Sequence, residues 1–148
     1  MKNKTILCAV DFSESSLNAL KWTFDLAKKT QAKVVVMFCY RLIALTEDEE
    51  TIGLKGKMEE EATMKFKEFE RGQLNGQPVT YKFITEVGFF HFRIEMFLRN
   101  NPVGLLVLGN SVVQNFDEYK NVGFENFLKS SKIPVVVVPH EIQEPVPV

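Results

Sequence analysis

Asp11 and Gly109 are the residues whose setting invites chemistry. Each follows an all-apolar run, residues 6–10 and 105–108 respectively, and such runs read as parallel strands buried on both faces. A glycine at the carboxyl end of such a strand lets a ligand come close to the main chain. Beyond it the chain runs through a polar stretch to Gly123, where a short helix opens, and then to Pro134-Val135-Val136-Val137-Val138. The whole is a strand, loop, helix and strand unit, and the loop from residue 109 to 123 is the expected binding surface. If the first and fourth strands lie side by side, Asp11 and Gly109 line one crevice.

Catalytic combinations are scarce. His91, in Phe90-His91-Phe92, has no adjacent serine or cysteine nucleophile, and neither a His-x-Gly-His pair nor a Ser-Gly-Gly loop follows the first strand. The expected protein is therefore not an enzyme. Cys8 and Cys39 fall in neighbouring predicted strands without metal or redox spacing and read as small core residues. With His91 and His140 apart from each other and from both cysteines, no zinc site is expected. The acidic run Glu47-Asp48-Glu49-Glu50 reads as a solvated face or a helix start, because adjacent carboxylates seldom converge on a metal.

The elements that must position these residues follow from periodicity. Residues 5–10 form a strand, and Asp11 or Ser13 caps the next helix, which carries Leu17, Leu20, Phe24 and Ala27 on one face and Lys28-Lys29 in its last turn. Residues 34–40 make the second strand, and a loop is expected from 41 to about 56. A helix follows over 57–71, with Met58, Ala62, Phe66 and Phe69 inward. Residues 79–85 alternate as a peripheral strand does. Gly88 turns the chain into a helix over 90–100 with Phe90, Ile94, Phe97 and Leu98 inward, stopped by Asn101-Pro102. Strands alternating with helices predict an α/β sandwich with a doubly wound parallel sheet, and ligands bind where the strand order reverses. Phe89, Phe90, Phe92, Phe116 and Phe124 fall near the carboxyl edge of that sheet, where they fill space a ligand would need or complete the core.

Composition fits this picture. The 148 residues are 45% hydrophobic and 25% charged, as in one globular domain, expected over 1–140 with a loose tail over 141–148. A net charge of −1 disfavours nucleic acid as a partner. The first apolar run is too short for a signal-peptide core, and no run approaches the ~18 residues of a membrane span, so no membrane association and a cytoplasmic location are expected.

The stretch from Ile6 through Val10-Asp11-Phe12-Ser13-Glu14-Ser15-Ser16, with Leu106-Val107-Leu108-Gly109 and the closing valines before Pro139, resembles the universal stress protein family over residues 5–139. The resemblance implies a three-layer, Rossmann-like fold of the adenine nucleotide alpha hydrolase type, with a five-stranded parallel sheet in the order 3-2-1-4-5. It also implies a homodimer paired through Pro134, Val135, Val136, Val137 and Val138, and a nucleotide site in those members that bind ATP. Such members carry a glycine, two residues, a second glycine, nine residues, then glycine with Ser or Thr. Gly109 matches the first position, but Val112 stands at the second and Val122 at the third, with Gly123 one place late and followed by Phe124. By this resemblance Asp11, Cys39, Leu108, Gly109, Asn110, Gly123 and Phe124 make up a degenerate nucleotide site, with Cys39 or Tyr40 near the base.

The Val112 β-carbon blocks close approach, Phe124 lacks a hydroxyl, and the loop sets Asp117 and Glu118 against Lys120. The expectation is a stress-response binding protein with no cofactor. The alternative is a member whose loop, longer by one residue, still accepts ATP or AMP, or hydrolyses it slowly.

Overall fold

A computed structural model describes residues 4–42, 49–117 and 123–143. Its elements are β1 (Thr5–Val10), α1 (Glu14–Thr30), β2 (Lys33–Tyr40), α2 (Glu49–Gln73), β3 (Tyr81–Val87), α3 (Phe90–Asn100), β4 (Leu105–Gly109), α4 (Asn110–Asp117), α5 (Phe124–Ser130) and β5 (Val135–Val138). The sheet is five-stranded in the order β3-β2-β1-β4-β5, and every neighbouring pair is parallel. The chain builds outward from β1 to β3, then returns to the other side of β1 to lay down β4 and β5.

Strand alternation divides the core in two. Ile6, Cys8 and Val10 of β1 face α1 and α2, where Leu20, Phe24, Phe66 and Phe69 complete one cluster. Leu7 and Ala9 face the other way, onto Ile94 of α3, Val112 and Phe116 of α4 and Phe127 of α5. The all-apolar strands are thus covered on both sides, each buried Leu, Ile or Val contributing about 1.5–3 kcal/mol. Both cysteines are buried free thiols, and burial pushes the Cys8 thiol up to about 12.

Three expectations need correction. α2 begins at Glu49 rather than near residue 57, and Gly53 and Gly56 lie inside it with no atom near a would-be Cβ. Solvent-facing glycines lower helix propensity by about 1 kcal/mol each without a steric break. Glu49 and Glu50 therefore open a helix, while Glu47 and Asp48 lie outside the described residues. β3 runs two residues later than its alternation indicated, because it pairs with β2 from Val34↔Tyr81 to Tyr40↔Val87. The third correction matters most for function: residues 110–117 are helical, not a polar loop. Val112 and Phe116, one turn apart, are both fully buried and anchor this helix against the sheet.

Candidate functional site

β1 and β4 pair in register from Ile6↔Leu105 to Ala9↔Leu108, so their carboxyl tips are adjacent at the reversal of strand order. Asp11 and the residues around Gly109 meet there as expected. Gly109 is the last residue of β4 rather than the first beyond it.

The meeting is closed by serines. The Asp11 carboxylate takes hydrogen bonds at Oδ1 from the Ser13 amide (3.0 Å), the Ser13 hydroxyl and the Ser16 hydroxyl (2.6 Å). Its Oδ2 accepts from the Ser111 hydroxyl at 2.6 Å. The Asp11 amide donates to Ser16 Oγ, and Ser15 Oγ accepts the Ser111 amide at 3.1 Å while its hydroxyl donates to Ser111 Oγ. One carboxylate thus ties the tip of β1 to the first turns of α1 and α4. Burial would raise the Asp11 pKa, but the hydroxyls of Ser111, Ser13 and Ser16 and the Ser13 amide together hold it below the usual carboxylate value. A carboxylate so stabilised is a weak base, and none of these hydroxyls gains a strong proton acceptor.

Ser13 is also the N-cap of α1, its Oγ accepting the Ser16 amide. The capping serine was legible in the sequence. Ser111 was not, because its role depends on α4 being a helix; the signal was the i, i+4 pair Val112 and Phe116 hidden among polar residues.

Gly109 has a packing cause. A Cβ there would stand 2.7 Å from the Ser15 carbonyl carbon and 2.7 Å from the Ser16 amide nitrogen, so α1 crosses directly over it. Leu108 is fully buried in the core, and Asn110 is exposed as the first residue of α4. Val112, where the nucleotide-binding pattern has its second glycine, is fully buried beneath the same helix. Cys39 lies in β2 on the α3 side of the sheet; burial and then Glu86 push its thiol up to about 12, against the opposing effect of Arg93. The adjacent Tyr40 donates its hydroxyl to Glu59 Oε1 of α2 at 2.7 Å.

Beyond α4, Gly123 is the N-cap of α5 and the Phe124 amide donates to Asp117 Oδ1 at 3.0 Å. A carboxylate from the chain itself therefore occupies a helix-start amide of the kind that receives a phosphate oxygen in nucleotide-binding folds. Glu118, Lys120 and Val122 lie outside the described residues. Beneath this point Phe116 packs edge-on against Phe127 and Phe124 at 5.1 and 5.5 Å, and the His91 ring joins at 6.2 Å. Of the phenylalanines expected here, Phe90 and Phe116 are core, while Phe92 is 51% exposed.

A parallel α/β sandwich whose strand order reverses between two tips lined by an aspartate and a glycine is the architecture of a nucleotide-type binding fold. The sequence matches the model of the universal stress protein family over residues 2–139, and the chain belongs to that family. Among solved structures it is similar to the hypothetical protein MJ0577, at 27% identity and a TM-score of 0.74, with 97% of this chain and 100% of that one covered. It is also similar to the universal stress protein UspA from Lactobacillus plantarum (18% identity, TM-score 0.72, 91% and 97% covered). A third relative is a universal stress protein solved in complex with cAMP (20% identity, TM-score 0.65, 94% and 98% covered). No curated protein gives a significant match.

Proposed function

We propose that this protein is a cytoplasmic stress-response protein that acts by binding a partner as a homodimer, with no reaction of its own and without effective ATP binding. The observation that carries the reading is the self-satisfied crevice. Asp11 spends both carboxylate oxygens on Ser13, Ser16 and Ser111, and Asp117 takes the Phe124 amide. A triphosphate entering here has to displace a carboxylate and meet its charge, a repulsion of about 4 kcal/mol at 4 Å and intermediate dielectric. Among the described residues, no helix is long and apolar enough to cross a membrane.

Thermal melts with millimolar Mg-ATP are expected to coincide with those of the free protein. A ligand at a hundred times its Kd adds about 2.7 kcal/mol, which would raise the midpoint by several degrees. Such a rise, or nucleotide absorbance at 260 nm carried through purification, would favour the second reading, an adenine-nucleotide-binding member. That reading draws support from the relative solved with cAMP.

The dimer reading rests on β5. Among the described residues it is an edge strand paired with β4 alone, and an uncovered valine ribbon invites pairing with another copy. Val135 and Val136 pack against the two core clusters and Val138 is buried, which leaves Val137, 40% exposed, as the side chain a partner copy would cover. Pro134 begins the ribbon at the surface. Val137→Lys is expected to halve the mass measured by light scattering or to produce aggregates. A dimer of unchanged mass would remove this surface from consideration.

A further inference from the structure

A second concavity lies away from the crevice, between α1 and α2 on the opposite side of the sheet from the aromatic cluster. Its volume is about 400 Å³, within the range of small-molecule sites. Phe12, Leu17 and Phe69 supply apolar surface, and Lys21, Lys65 and Glu68 supply charge.

Two features set this groove apart from an ordinary gap between helices. Phe12 has φ of +59°, a left-handed conformation that a bulky residue adopts only when its surroundings hold it there. The turn sends Asp11 into the serine network and the next ring onto Phe38 and Phe83, at 5.4 and 6.1 Å, where it lines the groove. The second feature is charge. Lys65 Nζ stands 6.0 Å from the centre of the Phe12 ring, leaning over the apolar surface. Among the described residues neither Lys21 nor Lys65 is held in an ion pair. Of the residues lining the groove, Glu68 alone sets a carboxylate against these two ammonium groups, so the lining carries one positive charge in excess.

We propose that this groove binds a small amphipathic monocarboxylate, its alkyl or aryl tail on Phe12, Leu17 and Phe69 and its carboxylate at Lys21 and Lys65. One excess cation matches one anionic head, and Glu68 opposes a dianion or a phosphate ester. An amine-headed amphiphile meets two like charges. The site is independent of whether the crevice admits a nucleotide.

The test uses 8-anilinonaphthalene-1-sulfonate as a fluorescent aryl anion and decanoate as competitor, with decylammonium as the opposite-charge control. Saturable fluorescence is expected, displaced by decanoate and not by decylammonium. Gly72, at the groove in the last turn of α2, has no atom within 4 Å of a would-be Cβ, so Gly72→Leu adds bulk at the mouth from an unobstructed Cβ and with better helix propensity. Gly72→Leu, by occupying the space of the tail, and separately the double substitution Lys21→Glu with Lys65→Glu, by replacing both charge-assisted contacts to the carboxylate with repulsion, are each expected to weaken decanoate binding about tenfold or more. Circular dichroism and melting confirm that both variants are folded. Absence of saturable binding to the wild-type chain, an unchanged affinity in either folded variant, or equal competition by decylammonium would overturn the proposal.

Discussion

Gly109→Ala is expected to destabilise the protein by about 3 kcal/mol, at the upper end for overpacking, because the added methyl meets main chain that cannot rotate away. The three nearest atoms are the Ser15 carbonyl carbon and oxygen and the Ser16 amide nitrogen, all within 2.8 Å. Relief requires α1 to lift from β4, which also parts Ser15 from Ser111 and Ser16 from Asp11. Urea titration should show a lower midpoint with an unchanged slope if the native state stays compact. A loss below about 1 kcal/mol would mean that the helix yields easily, and the glycine would then have to be explained by a ligand after all.

Asp11→Asn is expected to lose about 2–3 kcal/mol at neutral pH. An amide has one acceptor oxygen in place of two, and hydrogen bonds to a charged acceptor contribute about 1.5–3 kcal/mol each. The substitution should also remove part of the acid sensitivity. The folded-state pKa of Asp11 is depressed below its ordinary value near 3.9, so the unfolded chain takes up the proton first as pH falls. The stabilisation is therefore complete above about pH 5 and fades as pH drops through 4 towards the lower folded value. Chemical denaturation at pH 7, 5, 4 and 3 should show wild type and Asp11→Asn converging at the acid end. A constant gap across that range would mean that the carboxylate charge contributes nothing.

The inner strands of the sheet, β1, β2 and β4, were legible because they are short, largely apolar runs, as strands buried on both faces must be. α1 and α3 were legible because their inward residues recur at three and four. α4 was hidden by its length of eight residues and by polar Asn110, Ser111, Gln114 and Asn115 around a single buried i, i+4 pair. The start of α2 was hidden by Gly53 and Gly56, which look like breakers and are merely solvent-facing. In the crevice, Asp11 and Gly109 could be found as strand-tip residues. Ser111 could not, since it becomes a neighbour of Asp11 only through the order of strands. The family pattern flagged Val112 and Phe124 as departures; that Asp117 would bond the Phe124 amide follows from backbone placement alone.

The central position of β1 has a consequence for synthesis. One flank of β1 is covered by β2, which follows within the next few dozen residues, but the other waits for β4, and the bonds sealing the crevice join residues 96 to 100 apart. A chain emerging from the ribosome therefore carries the bare edge of a largely apolar strand until most of its length has been made. Such an edge is what holdase chaperones recognise, and translation pausing before residue 105 would lengthen the interval in which two nascent chains can pair wrongly through it.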